Sequence, residues 1–129
     1  MDYLIDTHTL IWFITDNKKL PSSTREIIID ENNNCFVSIA SYWEIGIKYS
    51  LGRFDFEADL EEIFEIIEAT GFEVLPITTI QISQNAKLEF HHRDPFDRII
   101  IAQAITENIA LISKDRFFKE YNVEVIWEG

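Results

Sequence analysis

The stretch Arg93-Asp-Pro-Phe-Asp-Arg-Ile-Ile-Ile101 decides how this chain folds. Two aspartates bracket a Pro-Phe pair, and an almost wholly apolar run follows. Proline suits the first turn of a helix, where its missing N–H costs nothing. An aspartate just before it can accept from the free N–H groups of that turn. The stretch therefore predicts a helix over Pro95–Glu107, ended by Asn108, with a surface apolar enough to require burial. A short apolar strand, Ala110–Ile112, follows at once.

Working outward, the same alternation recurs. Tyr3–Ile5 reads as a buried strand ending at Asp6, and Thr9–Ile14 as a helix. Leu20-Pro-Ser-Ser opens a second helix. The Asn32–Asn34 cluster turns the chain into a strand, Cys35–Val37. Ser41–Ser50 reads as a helix stopped near Gly52. Glu57–Ala69 sets Leu60, Ile63, Phe64 and Ile67 at helical spacing, with glutamates largely opposite. Strand Glu73–Leu75, helix Thr79–Glu89 and a last strand, Val123–Val125, complete the pattern. Short strands without polar alternation, separated by helices, predict an α/β fold with a mainly parallel five-stranded sheet covered on both faces.

The chain has 129 residues, enough for one core, and is expected to form a single domain over 1–129. It is 47% hydrophobic and 26% charged, which places it with globular rather than disordered chains. No apolar run approaches the roughly 18 residues that a membrane span needs. Acids stand near the start where a signal peptide carries bases, so the expected location is cytoplasmic. Cys35 is the lone cysteine, which rules out an intrachain disulfide. A net charge of −12 argues against non-specific duplex binding. The charge is uneven, however. Asp55–Glu73 holds eight acids and no base, whereas Arg93, Arg98, Lys114, Arg116 and Lys119 crowd the C-terminal third.

In a parallel sheet, ligands sit beyond the carboxyl ends of the strands. Asp6 follows the first strand, and Asp115 lies three residues past the fourth. Glu44 and Asp97 fall near the starts of two helices, in Ser41-Tyr-Trp-Glu44 and Asp94-Pro-Phe-Asp97. Each has a plain reading. Ser41 and Glu44 have capping-box spacing, Asp94 can cap a helix, and an aspartate at a strand end can make a turn. Together they predict carboxylates converging on one rim. Crowded like charges call for a cation, and Mg2+ or Mn2+ suits oxygen donors where zinc prefers thiolate and imidazole.

Four segments, LIDTHTLIW (Leu4–Trp12), SIASYWEIGIK (Ser38–Lys48), HRDPFDRIIIAQA (His92–Ala104) and LISKDRFF (Leu111–Phe118), resemble the PIN-domain family. They look closest to VapC-like toxins of toxin–antitoxin pairs. The resemblance implies a three-layer α/β/α sandwich and a Mg2+- or Mn2+-dependent ribonuclease. It places the catalytic acids at Asp6, Glu44, Asp97 and Asp115. Asp6 and Asp97 are then the direct metal ligands, with Glu44 and Asp115 as further ligands or water-orienting groups. Asp94 keeps the cap, and Thr7 and Ser113 stand around the acids. Ser113 has two readings, a donor to a carboxylate or a strand-end serine satisfied by backbone. Arg93, Arg98, Lys114 and Arg116 are candidate RNA phosphate contacts.

His8 reads as a rim residue and His91-His92 as solvated loop. Trp12, Phe13, Trp43 and Tyr49 line a partner groove or belong to the core. Implied partners are an RNA substrate, a small antitoxin with a basic tail, and a second copy of the chain. The rival reading is a non-hydrolytic α/β module, either a degenerate PIN-like domain or a receiver-like one. A receiver lacks support, because Leu75-Pro-Ile-Thr brings no acid after the third strand. A dehalogenase-like phosphatase would want an aspartate where His8 stands.

Overall fold

A computed structural model describes residues 1–127. Five strands form one sheet: β1 (Asp2–Ile5), β2 (Asn34–Ser38), β3 (Glu73–Leu75), β4 (Ala110–Ile112) and β5 (Val125–Ile126). The order is β3-β2-β1-β4-β5, and every neighbouring pair is parallel. Six helices connect them: α1 (Thr7–Ile14), α2 (Ser22–Ile29), α3 (Ile39–Ser50), α4 (Leu60–Ala69), α5 (Thr79–Lys87) and α6 (Pro95–Glu107). A 3-10 turn, Arg116–Glu120, precedes β5.

Alternate residues of the central strand feed two separate cores. Tyr3 and Ile5 pack with Leu10, Ile28, Ile45, Ile63 and Ile67 of α1 to α4. Leu4 points the other way and packs with Leu111, Phe118 and the buried isoleucines of α6. Both faces are thus covered, giving the three layers. Seven consecutive residues of α6, Arg98–Ala104, are buried. That is why its sequence shows no polar stripe.

Several boundaries move by a turn, for local reasons. β2 runs straight into α3, with Ser38 as the cap accepting from the Ala40 N–H at 3.0 Å. The expected capping box at Ser41 and Glu44 is therefore absent. Ser41 lies inside the first turn and Glu44 in the second. Asp6 caps α1, so this helix begins at Thr7 rather than Thr9. The chain after the 3-10 turn makes a tight Val123 N–H to Tyr121 carbonyl bond at 2.8 Å, which delays β5 to Val125–Ile126.

Candidate active site

Strand order reverses beside β1, with β2 and β3 on one side and β4 and β5 on the other. Such a switch point opens a crevice at the carboxyl ends of the strands. Ile5 pairs with Ile112, so the next residues, Asp6 and Ser113, arrive side by side. Ser113 Oγ donates to Asp6 Oδ2 at 2.6 Å, and the other Asp6 oxygen accepts from the Thr9 N–H at 2.9 Å. Ser113 Oγ also accepts from the Asp115 N–H at 3.0 Å. Asp115 Oδ1 in turn accepts from the Phe117 N–H at 2.9 Å and starts the 3-10 turn.

Across the crevice, Asp94 caps α6, accepting from the N–H groups of Phe96 and Asp97 at 2.9 and 3.1 Å. This fixes Asp97 in the first turn, with 14% of its side chain exposed. Glu44 of α3 is buried. One of its oxygens lies 3.5 Å from Lys48 Nζ, and the other, Oε1, is buried without a hydrogen-bond partner.

The electrostatics report the convergence. Burial pushes the Asp97 carboxyl up to about 8, and the charges of Asp94, Asp6, Glu44 and Asp115 add to the shift. Burial also raises Asp6, against the opposing pull of its donors Ser113 and Thr9. Acids placed this way destabilise one another until a cation arrives. The carboxylates, with the orphaned Glu44 oxygen among them, fit a hard divalent ion such as Mg2+ or Mn2+, and the His92 ring adds a nitrogen beside Asp97 and Asp115.

Asp97 thus feels the charges of Asp94, Asp6, Glu44 and Asp115, Ser113 bonds Asp6, and Asp97 and Asp115 approach each other most closely through His92. Thr7 is adjacent, but its hydroxyl bonds that of Ser41 at 2.8 Å, tying α1 to α3. Arg93, Lys114 and Arg116 are exposed, and the last two border a cleft with Asp6 and Asp115. Arg98 is a correction. It is buried, with Nη1 donating to the carbonyls of Glu89 and His92 and Nη2 to those of Asn85 and Leu88. A guanidinium spent on the loop before α6 has no face left for a phosphate.

His92 is the second correction. His91 is exposed, but the His92 side chain is only 16% exposed, and its Nε2 lies 2.8 Å from Asp115 Oδ2 and 3.2 Å from Asp97 Oδ2. Sequence spacing gave one faint signal for this, its place two residues before the α6 cap.

Nor do the four aromatics share a groove. Trp12 borders a cleft of about 380 Å3 with Asp6, His8, Lys114, Asp115, Arg116 and Phe117. Phe13 packs edge-on to Phe72 against the core. Trp43 is 66% exposed beside Phe96 and Ile82, and Tyr49 is exposed near the end of the same helix, α3.

Fold and geometry together define a parallel α/β domain with acids crowded at the carboxyl ends of its central strands. The PIN domain family model matches residues 3–124, and the chain belongs to that family. No curated protein matches the chain. Among solved structures, VapBC2 from Rickettsia felis, bound to a promoter DNA fragment, shares the fold at a TM-score of 0.74 and 19% identity. The match covers 99% of this chain and 100% of that one. VapBC-1 from nontypeable Haemophilus influenzae matches at 0.67 and 20% identity, covering 98% and 97%. A toxin–antitoxin complex from Klebsiella pneumoniae matches at 0.68 and 16%, covering 98% and 99%.

Proposed function

We propose that this protein is a divalent-metal-dependent endoribonuclease, the toxin of a toxin–antitoxin pair acting in the cytoplasm as a single domain. The observation that carries the reading is the Asp97 carboxyl, held up to about 8 by burial among the charges of four other acids. Asp6 and Asp97 would hold Mg2+ or Mn2+, with Glu44 and Asp115 completing or flanking the site. When bound, the ion would supply a Lewis acid that eases deprotonation of water and offsets charge at phosphorus. The chain does the positioning. Ser113 and Thr9 lock both oxygens of Asp6, and the Asp94 cap presents Asp97.

Lys114 and Arg116 flank the cleft beside Asp6 and Asp115, where they would pair with backbone phosphates of RNA, and the exposed Arg93 would add a further contact. Phe117, 55% exposed in the same cleft, offers a stacking face for an unpaired base. Local bases of this kind resolve the tension with a net charge of −12.

The Klebsiella pneumoniae neighbour is a toxin–antitoxin complex, which supports a small antitoxin partner here. An acidic surface favours an antitoxin with a basic tail. A homodimer is supported by the apolar cleft where Trp43, Ile82 and Phe96 meet.

The test is cleavage of structured RNA with Mn2+ against EDTA. Cleavage by the parent with Mn2+, and none by Asp6→Asn of unchanged far-ultraviolet circular dichroism, is the expected result. Full activity of rigorously purified Asp6→Asn would remove the assignment.

A further inference from the structure

His92 stands with Asp97 and Asp115 in a group compact enough to hold a metal through an imidazole nitrogen. The hydrogen bonds around its ring argue for a different role. Nδ1 accepts from the Asp94 backbone N–H at 3.1 Å. A nitrogen that accepts carries no hydrogen, so the hydrogen of the imidazole sits on Nε2. That N–H faces Asp115 Oδ2 at 2.8 Å and Asp97 Oδ2 at 3.2 Å. Ligation through Nε2 would need the opposite tautomer, and a hydrogen on Nδ1 would then meet the Asp94 N–H head-on.

The ring is held from every side. The His92 N–H donates to Tyr121 Oη at 2.9 Å, and its carbonyl accepts from Arg98 Nη1 at 3.2 Å. Phe117 and Phe118 flank the imidazole, with ring centroids 6.1 and 5.8 Å away. The buried Arg98 thus acts at a distance, fixing the loop that delivers the ring.

We propose that His92 is a positioning residue: its Nε2–H bridges Asp97 and Asp115 and sets the separation and orientation of the two carboxylates, and it is not a metal ligand. This rests on the metal-centre reading above and extends it. Carboxylates aligned by an outer hydrogen bond bind cations more tightly, and loss of such a partner typically costs about 10–100-fold in affinity.

Two measurements test the role without assaying cleavage. In protein carrying 15N-histidine, Nε2 of His92 is expected to be protonated and Nδ1 not, both without cation and with saturating Mg2+. Loss of the Nε2 hydrogen when Mg2+ is added would make His92 a ligand and overturn the proposal. The second measurement is Mn2+ affinity by electron paramagnetic resonance titration of two variants. Asn ends where His carries Nδ1, so His92→Asn keeps an acceptor for the Asp94 N–H and loses the bridge. Gln reaches the position of Nε2, so His92→Gln keeps the bridge. His92→Asn is expected to weaken Mn2+ binding about 10–100-fold, with His92→Gln close to the parent. Equal loss in both variants, or no loss in His92→Asn, overturns the role alone. A parent protein that binds no Mn2+ overturns the nuclease reading together with it, so the two failures are told apart.

Discussion

The acids of the crevice divide into two kinds. Asp6, Asp94 and Asp115 each cap a helix or turn, so the backbone itself neutralises part of their burial through N–H donors. Asp97 and Glu44 cap nothing. One is pushed up to about 8, and the other keeps a buried oxygen with no partner. The capping acids belong to the fold first and to the chemistry second. Among the described residues, neither carboxylate of the uncapped pair accepts from the backbone; Glu44 has only Lys48 as a partner beside it, and Asp97 only His92. The strain of their burial is the clearest sign of function in the molecule.

The largest expected effect tests that division directly. Asp97→Asn keeps the shape and a carbonyl for the His92 N–H, and removes a carboxyl whose ionisation is opposed by burial and by four neighbouring acids. Cleavage should fall by at least about 10²–10³-fold. The metal-free protein should melt at a higher temperature than the parent. Loss of activity accompanied by a lower melting temperature would place Asp97 with the structural acids and break the comparison.

The next effect is in the pH dependence of that stability. The Asp97 carboxyl titrates near 8 when folded, against an ordinary 3.8. Between those values the metal-free folded chain holds a proton that the unfolded chain has released. Its contribution is fully present below the lower value and is lost as the pH rises through the upper one. In EDTA the melting temperature of the parent should therefore fall from about pH 6 to about pH 8.5 more steeply than that of Asp97→Asn. Saturating Mg2+ should raise it more at the alkaline end. Parallel profiles for the two proteins would show that Asp97 is not the titrating group.

This division also explains what could be read from the sequence. The strands, the α6 boundaries and the rim carrying Asp6, Asp97 and Asp115 follow from patterns local in the chain: apolar runs, Pro95 after Asp94, an acid after a strand. Glu44 was placed near the rim for the wrong local reason, since the cap of α3 is Ser38, one residue before the helix. Arg98 and His92 escape such patterns because their partners are distant or unmarked. A buried arginine held by the carbonyls of Asn85, Leu88, Glu89 and His92 has no sequence signature. An imidazole whose fate depends on Asp115, 23 residues away, has little more than its place two residues before the α6 cap. The pairing Ile5 with Ile112 joins the ends of the chain, and only the sheet order reveals it.

A smaller effect separates the two roles at one helix start. Asp94→Ala removes a cap that serves two N–H groups and should cost about 0.5–2 kcal/mol, read from chemical denaturation in EDTA. The loss is structural, so it should persist in the inactive Asp97→Asn background. No cost in that background would mean that the two N–H bonds of the cap add nothing to stability.

Asp94→Asn should have the smallest effect, and it divides the capping acid itself. Asparagine caps as well as aspartate, so the helix start should survive with little change in stability. What changes is the field at Asp97, where Asp94 is the largest of the four repelling charges and ranks behind burial alone. The Asp97 carboxyl should then titrate at a lower pH. The steep part of the EDTA melting profile should move in the acidic direction, while the low-pH plateau stays near that of the parent. A profile that does not move would mean that Asp94 adds nothing to the Asp97 shift, which would then rest on burial and on the charges of Asp6, Glu44 and Asp115. Asp94 would in that case belong wholly to the helix start, and the crowding at Asp97 would come from the other three acids alone.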